Sequence, residues 1–410
     1  MMKKICFCLM LLCTSAMTWA QSLDGTWTGK MKAGAQTLTM VFHVAGQTCK
    51  LDVIEQGANG IPVEVKVISN DSMSIAVPAI MMTYTAKLKG NMLQGTFNQA
   101  TFSTSLNLER GEVKFNRPQE PKQPLPYTAK DVSFTNTSAN AILAGTLTYP
   151  TGWKKGERVP VVLMVTGSGQ ENRDEEIFEH RPFLVLADYL ARNGIASLRY
   201  DDRGFGKSTG DATKATSRDF ADDAKAGIEW LRQTGEFGKV GVLGHSEGGM
   251  IAFMLGQEQA TDFIVSWAGP TVPIDTLMQQ QLSLLYRAIG APDSMLPKTA
   301  AEAKQIMLAT SNTEWMRFFI NYDPTDAIKS TRCPVFALNG DKDMNVPAEL
   351  NISALRTLLP ANKKNKIKIY PGLNHILQHC TTGLPTEISS IEETISPEAM
   401  KDISEWINSL

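Results

Sequence analysis

Gly244-His245-Ser246-Glu247-Gly248 sits between a short apolar run, Val240 to Leu243, and a helix-forming run, Gly249 to Leu255. Strand, tight turn and helix in that order force the central serine into a strained conformation and push its hydroxyl out past the sheet's edge. Glycines flank such a turn because a side chain there would meet the neighbouring strand and helix. A serine presented in this way is a candidate nucleophile. It becomes one only when a base removes its proton and an acid holds that base.

Two later loops supply candidates for the base and the acid. Gly340-Asp341-Lys342-Asp343-Met344-Asn345-Val346-Pro347 follows the apolar run Val335 to Asn339. Gly372-Leu373-Asn374-His375 follows the run Ile367 to Tyr370. If both runs are parallel strands, both loops emerge at the carboxyl edge that also presents Ser246. An oxyanion formed by attack on a carbonyl needs two backbone N–H donors. Glu247, next after the serine, is one source, and the loop Thr166-Gly167-Ser168-Gly169-Gln170 is the other.

The elements that must position these residues read as α/β from about residue 129 to 410. Strands at 161–165, 196–200, 240–243, 263–267, 335–339 and 367–370 alternate with helical stretches, which predicts a doubly wound, mostly parallel sheet. An antiparallel strand is expected at 141–149. A helix starting near Ser217, with Ser217 as its cap, presents Phe220, Ala224, Ile228 and Leu231 on one face. The last helix is announced by Ser396-Pro397-Glu398. Residues 272 to about 330 interrupt the alternation with helical pattern only, and are expected to form a lid over the site. Residues 21–113 alternate with period two, as in Leu38, Met40, Phe42, Val44 and in Val63, Val65, Val67. About eight strands with one apolar face predict a small all-β barrel or sandwich. Residues 114–128, with Pro118, Pro121, Pro124 and Pro126, read as a linker.

Four motifs in order make the second half resemble the α/β-hydrolase superfamily, in its esterase and serine-aminopeptidase-like branch. They are Gly244 to Gly248, Gly340-x-x-Asp343-x-x-Val346, Asn374-His375, and Asp201-Asp202-Arg203-Gly204-Phe205-Gly206-Lys207-Ser208. The resemblance implies Ser246 as nucleophile, His375 as general base and Asp343 as orienting acid, with Asp341 the alternative. It implies Ser168 as the second oxyanion donor, with Gly169 possible, although Thr166-Gly167 stands where related enzymes carry His-Gly. Leu23 to Gly29 resembles the first strand of lipocalin-like modules, and the whole chain resembles secreted bacterial two-domain carboxylesterases.

Other residues near these motifs invite plainer readings. His245 is expected to pack or to bond a loop. The polar stretch Gln170 to Glu175 reads as a salt-bridged loop, with substrate binding the rival use, and Arg203 as a brace. Trp267, Gly269 and Pro270 end a strand near the site and are expected to line the pocket. Met278, Met295, Met307 and Met316 are expected in the core, and His379 has no assigned role.

The chain has 410 residues, 43% hydrophobic and 20% charged, with formal net charge −2, so no basic field invites nucleic acid. Residues 1–20 combine Lys3 and Lys4 with an apolar run ending in Ala20, and read as a secretory signal peptide rather than a membrane span. The protein is therefore expected in the periplasm or outside the cell. Cys49, Cys333 and Cys380 remain, too few and too scattered for a disulfide framework, and no cluster has metal-ligand spacing. These readings predict a serine ester hydrolase that needs no metal or organic cofactor and takes small-molecule or glycan esters. An exopeptidase or amidase of the same fold and an inert ligand-binding protein are the rival classes. Oligomeric state is left open.

Overall fold

The computed structural model describes residues 22–33, 36–56 and 58–410. The expected signal peptide lies outside these residues. The chain divides into two compact units, one ending at Lys114 and the other spanning Phe115–Leu410.

The first unit is one antiparallel sheet of nine strands curled toward a barrel, one more strand than the alternation predicts. Its strands are β1 (Gly25–Ala33), β2 (Gln36–Ala45), β3 (Thr48–Val53), β4 (Ala58–Pro62), β5 (Glu64–Ile68), β6 (Ser72–Val77), β7 (Met82–Lys89), β8 (Met92–Gln99) and β9 (Phe102–Arg110). Neighbours in sequence pair except β4 and β5, which are the sheet's two edges, and β9 returns to pair with β1. One face of the pleat is filled by Trp27, Phe42, Tyr84, Leu93, Leu106 and Leu108. The Phe42 and Tyr84 rings stack 5.2 Å apart, and the Tyr84 hydroxyl donates to Leu106 O at 3.0 Å. Val67, expected on the apolar face, is instead exposed. A bulge between Val65 and Val67 shifts the register by one residue, and a one-residue shift sends a side chain to the opposite face.

The second unit carries an eight-stranded sheet. Its strands are β10 (Ala129–Asn136), β11 (Ala141–Thr148), β12 (Val159–Val165), β13 (Ala196–Tyr200), β14 (Phe237–His245), β15 (Ile264–Trp267), β16 (Val335–Gly340) and β17 (Lys366–Tyr370), in the order β10-β11-β13-β12-β14-β15-β16-β17. β10 and β11 are antiparallel, and β13 to β17 are parallel through β12. The long helices are α1 (Pro182–Arg192), α2 (Ser217–Thr234), α3 (Glu247–Gln257), α4 (Ile274–Ala288), α5 (Ala300–Thr310), α6 (Glu314–Phe319), α7 (Thr325–Ser330), α8 (Ala348–Leu358) and α9 (Pro397–Asn408).

Both faces of this sheet are covered, as a parallel sheet requires. Val161, Leu163 and Val165 of β12 pack into the layer holding α2, α3 and α8, through residues such as Ile228, Phe253 and Leu355. Val162 and Met164 point into the other layer, against α1 and α9, through Leu186, Leu190 and Ile403. α2 begins one residue earlier than expected. Its cap is Thr216, whose backbone N–H and hydroxyl both donate to the Asp219 carboxylate, at 2.9 and 2.8 Å. The carboxylate three residues on thus turns back onto the cap residue, as in a capping box. Residues 274–330 hold α4 to α7 between β15 and β16, with no strand among them.

The proline-rich segment expected as a linker is bonded to the second unit. Arg117 donates to the carbonyls of Phe178, Ser389 and Ile391, and Gln119 donates to that of Ile395.

Candidate active site

The parallel register brings five loops to one edge of the second sheet. His245 at the end of β14 lies beside Trp267 at the end of β15, and Gly340 at the end of β16 lies beside Tyr370 at the end of β17. The turn after β14 is built as the sequence predicts. Ser246 has φ 54° and ψ −119°, a conformation that L residues rarely hold. A Cβ on Gly244 would lie 1.9 Å from Gly248 O, and one on Gly248 would lie 2.2 Å from Val165 O. Neither position tolerates a side chain without breaking the contact between strand and helix.

A cavity of about 320 Å3 opens at this edge and is lined by Ser246, His375, Gly167 and Ser168 among others. His375 is mostly buried, and its Nδ1 lies 2.8 Å from Asp343 Oδ2. Asp343 is held in turn. Its Oδ1 accepts from the backbone N–H of Asn345 and Val346 at 2.9 and 2.8 Å, and Asn339 donates to Oδ2 at 3.3 Å. With three donors on the carboxylate and the imidazole on Oδ2, Nδ1 carries the proton and Nε2 is left basic. Asp341 is an exposed turn residue that accepts from Gly372 N at 2.7 Å and does not touch the histidine. The spacing of two residues puts one aspartate inside the turn and the other outside it.

Ser168 lines the cavity and Gly169 does not. Among the described residues neither Ser168 N nor Glu247 N donates to another protein atom. Gly167 N, by contrast, already donates to Glu175 Oε1 at 2.8 Å. The loop holding these amides is fixed from below. Thr166 Oγ1 and Glu171 N both donate to the buried Asp202 carboxylate, at 2.9 Å each. Burial pushes Asp202 up to about 7 against these bonds. Arg203 makes two bonds to Asp223, at 2.8 and 2.9 Å, and ties the loop after β13 to α2.

The polar stretch after this loop reaches further into the site than expected. Arg173 pairs with Asp201 and Arg199 with Asp174, as a salt-bridged loop would. Glu171 and Glu175, however, line the cavity. Burial, reinforced by the carboxylates of Glu175, Asp202 and Glu247, pushes Glu171 up to about 9. Much of the remaining wall is apolar: the lid helices supply Leu277, Met278, Met307, Trp315, Met316 and Phe319 beside the polar Gln281, and Ile177, Val346, Ile376 and Ile388 come from loops outside the lid. Three of the four methionines expected in the core therefore face the cavity. The fourth, Met295, is exposed. Helical spacing places a residue on an apolar face without saying whether that face meets side chains or an empty space. Trp267 also departs from expectation. It is fully buried beneath the site, and its indole N–H donates to His375 O at 3.1 Å, while Pro270 lines the cavity. His379 bonds Glu393.

A family model described as serine aminopeptidase, S33, matches residues 180–379, the stretch that holds Ser246, Asp343 and His375. The second unit has the α/β-hydrolase fold. Esterase EstD of Thermotoga maritima is 26% identical to the chain over 243 residues, which is 57% of this chain and 58% of that one. The chain thus spans less than two thirds of this relative. Among solved structures, the esterase Pf2001 of Pyrococcus furiosus is 18% identical with a TM-score of 0.47, covering 73% of this chain and 99% of its own. Est1E of Butyrivibrio proteoclasticus, solved with ferulic acid, is 17% identical with a TM-score of 0.45, covering 68% of this chain and 100% of its own.

In the second unit Glu247 links the elbow to the lid. Its side chain is buried and accepts from the Trp315 indole of α6 at 3.0 Å. Burial raises its carboxyl, with the Trp315 bond acting against the rise. No motif flagged this contact, because it joins residues 68 apart. Among the described residues there is no group of His, Cys, Asp or Glu that could hold a metal ion, and no helix is long and apolar enough to cross a membrane.

Proposed function

We propose that this protein is a serine carboxylic-ester hydrolase. Ser246 Oγ attacks the ester carbonyl while His375 Nε2 takes its proton, and the oxyanion is met by the N–H groups of Ser168 and Glu247. The alcohol leaves with the proton that His375 returns. Water, deprotonated by the same histidine, then attacks the acyl-Ser246 ester and releases the acid. The observation that carries this reading is the Asp343–His375 bond of 2.8 Å beside a cavity that also exposes the strained Ser246. The largely apolar lid wall favours short-chain or carbohydrate-linked esters with a compact apolar acyl group. With residues 1–20 read as a signal peptide cut after Ala20, the enzyme acts in the periplasm or outside the cell.

Ser246→Ala removes the nucleophile and is expected to lower turnover of short aryl esters by about 10⁴–10⁶-fold with an unchanged melting temperature. Undiminished turnover rejects the reading. A second reading, an exopeptidase, draws on Glu171 and Glu175 in the cavity wall, which could receive a free amine. Faster cleavage of amino-acid arylamides than of aryl esters would favour it.

A further inference from the structure

We propose that Glu175 and His245 form a second acid–histidine pair that locks the oxyanion loop to the loop carrying the base. The proposal rests on the ester-hydrolase reading above. Glu175 is only 5% exposed. Its Oε1 accepts from Gly167 N at 2.8 Å and lies 2.6 Å from His245 Nδ1. His245 Nε2 donates to the backbone carbonyl of His375 at 3.2 Å. One chain of contacts thus joins the turn after β12, the serine elbow and the loop after β17. The imidazoles of His245 and His375 lie 4.6 Å apart between centroids.

The protons give this link its specificity. A carbonyl oxygen only accepts, so His245 Nε2 is protonated. A further proton is shared between Nδ1 and Glu175 Oε1, which also accepts from Gly167. Burial disfavours a charged ring, but the Glu175 carboxylate outweighs it and raises His245. A glutamine cannot reproduce this. With its oxygen on Gly167 N–H it supplies neither charge nor shared proton. The neutral ring then holds one proton and gives up either position 175 or the His375 carbonyl.

Folding alone gives little reason for the arrangement. Burying an ion pair costs desolvation that apolar side chains of similar volume avoid. Glu175 also holds φ 54°, in the left-handed region that disfavours residues with a side chain. Both features place a carboxylate where the two loops meet. Glu175 and His245 are therefore positioning residues, acting through Gly167, Ser246 and His375.

The test compares Glu175→Gln, His245→Asn and the double variant in the full chain, with p-nitrophenyl acetate as substrate. Turnover is expressed per Ser246 labelled to completion by a fluorophosphonate, so unfolded molecules do not count. Each single variant is expected to lose about 10–100-fold in kcat with KM within about threefold, as a small misplacement of catalytic groups does. The double variant is expected to lose no more than the poorer single one, because both act in one chain of contacts. Full kcat per labelled site with only a lower melting temperature overturns the proposal, as do losses that multiply in the double variant. Should Glu175→Gln fail to fold, His245→Asn carries the same test. An inactive Ser246→Ala beside a fully active Glu175→Gln ends the positioning role alone, whereas an active Ser246→Ala ends the ester-hydrolase reading.

Discussion

Among the described residues of the β-unit, Thr39 is the only polar side chain that is buried. The second unit buries Glu175, Asp202, Arg203, Asp223, Glu247, Asp343 and His375, most of them at one edge of its sheet. Both units are ordered by the same apolar alternation, so the contrast is not one of folding mechanism. A buried charge is costly unless it is paired and hydrogen bonded, and here nearly every one is. The cost is concentrated where loops from β12, β13, β14, β16 and β17 converge, which is where displaced titration behaviour has a chemical use. The β-unit bears no such cost, and its interior is filled by Trp27, Phe42, Tyr84 and their neighbours.

The contrast can be broken most sharply at the two aspartates of one turn. Asp343→Asn leaves the shape but removes the charge that holds the His375 tautomer, and is expected to lower kcat by about 10³–10⁴-fold. Asp341→Asn, at the exposed position, is expected to stay within about twofold. Steady-state kinetics on one aryl ester checks both, and equal losses would erase the distinction between inner and outer carboxylate. In the β-unit, Trp27→Ala is expected to cost about 3–5 kcal/mol of that unit's stability in urea unfolding, with kcat unchanged in the absence of denaturant. A matching loss of kcat would mean that the apolar barrel supports the chemistry after all.

The smallest expected effect is on the pH dependence of stability. Glu171 and Asp202 are raised from 4.5 and 3.8 to about 9 and about 7. Between those limits the folded state holds more protons than the unfolded one, so stability falls as pH rises. It is fully present below about pH 4 and is lost toward pH 9. Glu171→Gln is expected to flatten that decline for the second unit, read from denaturant midpoints at pH 5, 7 and 9. A steeper decline would contradict the direction assigned to Glu171.

The elbow, both later loops and the lid were legible because each is local. Glycine spacing, strand-then-turn order and a break in the alternation are written within a few residues of one another. What escaped depended on pairing across the chain. Trp267 was expected to line the pocket, yet its indole is turned beneath it toward His375 O. Met278 and Met316 lie in the core as expected and also wall the cavity, and Met307, packed against that core, walls it too. Val67 kept its place in the alternation but lost its face to a bulge against β6. β10 gave too weak an apolar signal to be read, since several of its residues are exposed on the sheet's edge.

By itself the amino-acid order determined which side chains could react and on which kind of element each must sit, because turn chemistry and apolar period act over a handful of residues. Only the folded chain decided which of two aspartates meets the histidine, which amides stay free, and that Glu175 holds Gly167 and His245 together. Those outcomes depend on the register of parallel strands and on loops brought within hydrogen-bond reach by packing on both faces of the sheet, and neither is encoded near the residues that it joins.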